Sequence, residues 1–96
     1  MLMYTIDFSR SSKQDFKKIN KADIQFIHNS LTEFIQNFSP KYEASLMQTG
    51  KIKKLQGQSE VLYRLKLRSY RVIYKKYEDR LIILVVHVTT REGAYR

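Results

Sequence analysis

The sequence predicts an α+β domain: an antiparallel sheet of one N-terminal strand and three C-terminal strands, with two intervening helices packed on one face. Three observations carry this. Within residues 2–8, read as a strand, positions 4–8 alternate apolar and polar side chains, as a half-buried strand does. Residues 24–38 repeat apolar side chains every three or four positions. From Val61 the period of two returns over two strands, and after a turn an apolar strand runs from Leu81 to Val88. The 96 residues suffice for one domain, 1–96, and a 43% hydrophobic content supplies the material for one core.

Each element has its own signal. Tyr4, Ile6 and Phe8 alternate with Thr5 and Asp7, giving the first strand. Ser11 and Ser12, with Asp15 three residues after Ser12, resemble a capping box that opens a short helix reaching about Ile19, with Phe16 and Ile19 as its buried edge. Asn20 or Asp23 restarts the chain. Ile24, Ile27, Leu31, Phe34, Ile35 and Phe38 then form one side of an amphipathic helix of about sixteen residues, with Asn29, Thr32, Glu33 and Gln36 on the other. Ser39-Pro40 stops it. Residues 41–54 show no clear period. Gly50 and Gly57 suggest loops, and Leu46, Met47, Ile52 and Leu55 suggest partial burial.

Beyond Gly57, Val61, Tyr63, Leu65 and Leu67 point one way while Leu62, Arg64, Lys66 and Arg68 point the other. After a short loop at Arg68-Ser69, Tyr70, Val72 and Tyr74 alternate with Arg71, Ile73 and Lys75. A two- or four-residue loop pairs Leu67 with Tyr70, Leu65 with Val72 and Tyr63 with Tyr74. A three-residue loop would put Arg71 in the core, so the apolar pattern selects the register. Glu78-Asp79 makes a turn, and Leu81–Val88 is apolar on both faces, as a central strand is. His87 within it reads as a satisfied core histidine and His28 as a surface residue.

Charge is concentrated. Of the net +9, residues 51–76 hold +8, with nine bases and only Glu60 against them. The hairpin register sets Lys66 opposite Arg71, with Arg64 and Arg68 flanking. Like charges facing each other across strands destabilise a sheet. A solvated face would leave them with no purpose, whereas a ligand carrying several phosphates supplies one. Lys53 and Lys54 lie outside that face on this reading and serve docking.

Other chemistries find no support. The chain has no cysteine, hence no disulfides, thiolate zinc site or cysteine nucleophile. The two histidines lie far apart with no carboxylate at ligand spacing, so no metal site is expected. Gly50, Gly57 and Gly93 make neither a Walker loop nor a dinucleotide fingerprint, and no cofactor is expected. The longest apolar run, Leu81–Val86, is far below the roughly 18 residues that cross a bilayer. The first residues carry no basic leader, so a cytoplasmic protein without a membrane partner is expected. Bases and tyrosines remain. They suit RNA cleavage, because RNA brings its own nucleophile, the 2′-hydroxyl. The protein need only accept that proton, neutralise the phosphorane and protonate the leaving 5′-oxygen. A lysine crowded by cations yields its proton more readily and can serve as the base, arginines supply fixed donors, and a tyrosine supplies a stacking surface.

Leu55-Gln56-Gly57, followed by Leu62-Tyr63-Arg64-Leu65-Lys66-Leu67-Arg68-Ser69-Tyr70-Arg71-Val72-Ile73-Tyr74, resembles the RelE/ParE toxin superfamily of type II toxin–antitoxin systems. Its members carry a leucine-x-glycine, a Y-R-L/I-R/K strand and a Y-R-V/L-I/V-Y strand. The end of the chain, His87 to Arg96, is similar to the closing H-R-x-x-x-Y-R. The resemblance implies a RelE-like toxin: a ribosome-dependent endoribonuclease, or mRNA interferase, that cuts mRNA in the A site and is silenced by a cognate antitoxin. It implies Lys66 as the catalytic lysine, Arg71 as the phosphate-stabilising arginine, Arg91 as the general acid and Tyr95 as the tyrosine stacked on the substrate base. Arg64 takes a position that is often lysine and would contact phosphate with Arg68, Lys53 and Lys54. Thr90 stands where many relatives have histidine. The alternative within the superfamily is a ParE-like inhibitor of DNA gyrase without nuclease activity. Such relatives tend to lack the basic cluster of Arg64, Lys66, Arg71 and Arg91. A plain RNA-binding module is a third reading.

The charge distribution predicts that binding to ribosomes or RNA weakens as salt rises, through counterion release. Each phosphate contact removed by mutation within residues 51–76 should lower the log–log salt slope by roughly 0.7–0.9. Equilibrium binding across a salt series measures this, and a salt-independent affinity contradicts the role given to that window.

Overall fold

The computed structural model describes residues 3–57 and 59–90. The alternating Thr-Ile-Asp-Phe segment forms β1 (Thr5–Phe8). The chain turns at Ser9, whose hydroxyl oxygen accepts from the Ser12 N–H at 3.1 Å and so caps α1 (Arg10–Phe16). The cap is therefore Ser9 and not Ser12, which is fully buried and donates its hydroxyl to the Ser9 carbonyl at 2.8 Å. Asn20 caps α2 (Lys21–Asn37) by accepting from the Asp23 N–H at 2.8 Å, and its amide donates to the Asp23 carboxylate at 3.1 Å. Ile27, Leu31 and Phe34 are the buried stripe of this helix.

Ser39-Pro40 ends α2, as expected, and also starts α3 (Pro40–Gln48), a helix the sequence reading leaves out. Ser39 accepts from the Tyr42 N–H at 3.0 Å, and Pro40 occupies the first helical position, where its missing N–H leaves nothing unsatisfied. The periodicity of α3 is weak because its inward face holds a carboxylate, Glu43, beside the partly buried Tyr42, Leu46 and Met47. Gly50, at φ +83°, closes it with an N–H bond to the Met47 carbonyl at 3.1 Å.

Four strands follow and not three: β2 (Ile52–Gln56), β3 (Val61–Leu67), β4 (Tyr70–Tyr77) and β5 (Ile82–Thr90). The sheet order is β1-β5-β4-β3-β2. β2 to β5 pair antiparallel, but β1 runs parallel to β5, from Thr5 opposite Ile82 to Phe8 opposite Val85. The sheet is thus mixed. No hairpin joins β1 to β5, and the three helices carry the chain from one sheet edge to the other. The β3–β4 register is the expected one: Tyr63 opposite Tyr74, Leu65 opposite Val72, Lys66 opposite Arg71, Leu67 opposite Tyr70. Arg68 absorbs the two-residue turn at φ +57°.

The core lies between α2 and one sheet face, where Ile27, Leu31 and Phe34 meet Ile52, Leu65, Leu67, Val72, Tyr74, Ile83, Val85 and Val88. α3 is tied to it by a polar clamp. Glu43 is 4% exposed. It accepts from the Tyr74 hydroxyl at 2.6 Å and from Lys76 Nζ at 2.7 Å. A buried carboxylate with both oxygens occupied is tolerable where an unpaired one is not. Burial, reinforced by Glu43, pushes the Tyr74 phenol well above the usual tyrosine range. Burial opposes the charge of Lys76, but the hydrogen bond and charge of Glu43 outweigh it and hold its pKa above the ordinary lysine value.

Both groups therefore keep protons in the fold that the unfolded chain releases. Their stabilisation is complete below about pH 10 and is lost as pH rises beyond it. Urea unfolding of the wild type should show stability falling above about pH 10, and Tyr74→Phe should remove about one proton's worth of that slope, about 1.4 kcal/mol per pH unit. An identical slope in the variant would contradict the assignment.

Candidate nucleic-acid interface

The sheet face away from α2 collects the candidate residues. Two rows cross the strands there. Lys53 pairs with Arg64, Arg64 with Ile73 and Ile73 with His87. In the second row Lys66 pairs with Arg71 and Arg71 with Thr89. The structure thus brings together Lys53, Arg64, Lys66 and Arg71. Lys53 was expected outside this face, but its strand places it in line with Arg64. Lys53 and Lys66 are exposed, and Arg64 is half-buried. Among the described residues the ion pairs are Lys75–Glu60, Lys76–Glu43 and His87–Asp15, so Lys53, Arg64 and Lys66 have no carboxylate partner. Arg64 Nε and Thr89 Oγ1 are buried without a hydrogen-bond partner. A fold seldom leaves two such groups orphaned on one face, and a bound anion is one way to satisfy them.

Arg71 behaves differently from a surface arginine. It is 8% exposed, and its Nη1 donates to the carbonyls of Arg68 and Tyr70, each at 2.9 Å. It therefore braces the β3–β4 turn as well as lying in the cationic row. Substituting Arg71 therefore touches buried structure as well as the cationic row.

Of the other expected cations, Arg68 points elsewhere, and Lys54 lies off this face, where the sequence reading puts it. Arg68, released from the strand by its positive φ, folds toward the helices, its guanidinium carbon 3.8 Å from the Phe26 ring centroid. Lys54 pairs with Tyr63 and so belongs to the opposite face of β2. Arg91 and Tyr95 lie outside the described residues.

His87 is the residue that sequence reasoning misplaced. Continuing the alternation of Ile83 and Val85 would turn it into the core. Instead Ile73 pairs with His87 while Tyr74 pairs with Val85, leaving Val86 as an extra residue, a β-bulge. The bulge shifts the pattern by one, so Val88 returns to the core and His87 and Thr89 emerge on the cationic face. Its side chain is 42% exposed. The bulge is held from α1, which lies against β5 just where β1 ends. Ser9 N donates to the Val85 carbonyl at 2.9 Å, Ser9 Oγ donates to the Val86 carbonyl at 2.8 Å, and Asp15 Oδ2 accepts from the Val88 N–H at 2.9 Å. The same Asp15 oxygen stands 3.3 Å from His87 Nδ1. The one signal in the sequence is the spacing of three between Val85 and Val88 after the step of two from Ile83 to Val85.

Among the described residues no group of three or more His, Cys, Asp or Glu side chains is placed to hold a metal, and no helix is long and apolar enough to cross a membrane. No family model and no curated protein matches the sequence. Solved structures do match. A chain of the archaeal RelE–RelB complex from Pyrococcus horikoshii superposes with a TM-score of 0.69 at 19% identity, over 97% of this chain and 100% of that one. The isolated Escherichia coli RelE toxin gives 0.65 at 25% identity, over 97% and 86%. A chain of the RelBE2 toxin–antitoxin complex of Mycobacterium tuberculosis gives 0.62 at 18%, over 94% and 100%. The chain has the RelE toxin fold. In this version of the RelE fold the cationic rows and the bulged histidine share one sheet face.

Because Ser9 both caps α1 and holds the bulge carbonyl, Ser9→Ala should lower stability by about 1–2 kcal/mol, read as a shifted urea midpoint with unchanged m. Ser11→Ala, on the exposed side of α1, should be near neutral.

Proposed function

We propose that this chain is the toxin of a type II toxin–antitoxin pair and that it cleaves mRNA on the ribosome in the cytoplasm. The observation that carries the reading is the row of cations Lys53, Arg64 and Lys66, without carboxylate partners among the described residues, joined to Arg71 on one sheet face where Arg64 Nε and Thr89 Oγ1 are buried without a described partner. Such a face matches a polyanion. The RelE fold supports a toxin, and the RelE–RelB and RelBE2 complexes among its structural neighbours support a cognate antitoxin as partner.

In this reading Lys66 accepts the 2′-hydroxyl proton of the mRNA and O2′ attacks the adjacent phosphorus. Arg71, held rigid by the turn carbonyls, donates to the phosphorane, which carries more negative charge than the starting diester. Arg64 and Lys53 neutralise the flanking backbone, Arg91 adds a further cation, and Tyr95 stacks on the substrate base. The antitoxin covers the same cations, its carboxylates standing in for phosphates.

Expression without antitoxin should arrest growth. On saturating mRNA-programmed ribosomes, Lys66→Ala should slow single-turnover cleavage by about 10²–10³-fold while ribosome affinity changes less than about tenfold. Arg71→Lys, which keeps the charge and loses the paired donors, should show the same split. Intact mRNA together with inhibition of gyrase on supercoiled DNA would replace this reading with the ParE-like one.

A further inference from the structure

The proposed cleavage needs a proton for the departing 5′-oxygen. Arginine is poorly suited to deliver it, because a guanidinium holds its protons at any physiological pH. Histidine is the side chain whose ordinary titration falls between pH 5 and 8. On the described part of the cationic face that residue is His87, which the Val86 bulge turns out of the core and sets in the row of Ile73 and Arg64. Arg71 is its diagonal neighbour across β4, about 7–8 Å away by strand geometry, and Thr89 follows it on the same face.

His87 is also oriented. Asp15 Oδ2 lies 3.3 Å from its Nδ1, and that oxygen is anchored by the Val88 N–H at 2.9 Å. An aspartate in this position accepts a hydrogen bond from Nδ1–H and leaves Nε2 as the nitrogen available to a substrate. A carboxylate, an imidazole turned outward by a bulge, and an adjoining cationic row form an arrangement that packing alone does not require.

We infer that His87, positioned by Asp15, donates the proton to the leaving 5′-oxygen in the RNA cleavage proposed above; the inference rests on that reading. The step balances. Lys66 accepts the 2′-hydroxyl proton as O2′ bonds to phosphorus. The P–O5′ bond breaks with its electron pair on O5′, and Nε2–H of the His87 imidazolium transfers its proton there. The products are a 2′,3′-cyclic phosphate and a 5′-hydroxyl, and solvent restores both protonation states. Arg91 then serves as a charge and not as an acid.

The test uses the full chain on mRNA-programmed ribosomes with two substrates, ordinary mRNA and one carrying a 5′-bridging sulfur at the cleaved phosphate. Sulfur leaves without needing a proton. His87→Ala and His87→Gln should cleave ordinary mRNA roughly 10²-fold or more slowly, and the sulfur substrate within about threefold of the wild type. Asp15→Asn keeps a carbonyl oxygen for the Val88 N–H. It should slow ordinary cleavage about tenfold or more, recover on the sulfur substrate and bind ribosomes as the wild type does. Normal cleavage of ordinary mRNA by His87→Ala, or an equal deficit on both substrates, overturns the assignment of His87. A wild type that cleaves neither substrate overturns the nuclease reading itself and the inference with it.

Discussion

The rest of the candidate site depends on one extra residue in β5. Side chains of a strand alternate with a period of two, so inserting Val86 reverses every side chain that follows it. Before it, Ile83 and Val85 face the core; after it, Val88 does, while His87 and Thr89 emerge. A bulge leaves backbone groups without ladder partners, and α1 supplies them. Ser9 meets the Val85 and Val86 backbone, and Asp15 meets the Val88 N–H. The short helix thus continues the edge that β1 abandons after Phe8, using side chains where a strand would use peptide groups. One consequence is mechanical: α1, β5 and the cationic face are a single unit, and the histidine cannot be turned without disturbing the cap of α1.

A second organising feature is the sorting of cations between the two faces of the sheet. On the helix side Lys76 and Arg68 have internal partners. Lys76 meets Glu43 and stands 4.6 Å above the Tyr63 ring, and Arg68 lies on Phe26. For Lys76 burial demands this, since a charge removed from water without a partner is far more costly than any packing it gains. On the other side Lys53, Arg64 and Lys66 have no carboxylate partner among the described residues, against the mutual repulsion that the register imposes. Arg71 is intermediate, buried and bonded to the turn carbonyls. It sits where the fold and the proposed chemistry place demands on the same side chain. The net charge of +9 is therefore a poor measure of the site, because part of it is consumed in holding α2 and α3 to the sheet.

Much of this architecture was determined by local pattern. The β3–β4 hairpin register followed from the apolar alternation alone, because any odd shift would have buried Arg71 in place of Val72. The long amphipathic helix followed from apolar side chains repeating every three or four positions between Ile24 and Phe38, and its stop followed from Ser39-Pro40. The opposition of Lys66 and Arg71 followed from the same register. Only tertiary structure decided the remainder. α3 hides a carboxylate whose partners, Tyr74 and Lys76, are 31 and 33 residues away, so its inward face does not read as apolar. β2 is an edge strand whose lysines carry no period, and its place in the sheet comes from pairing with β3. β1 runs parallel to β5 because three helices separate them. The outward turn of His87 required a helix 72 residues earlier in the chain to bring Asp15 to the bulge, and no local pattern carries a contact made across that distance.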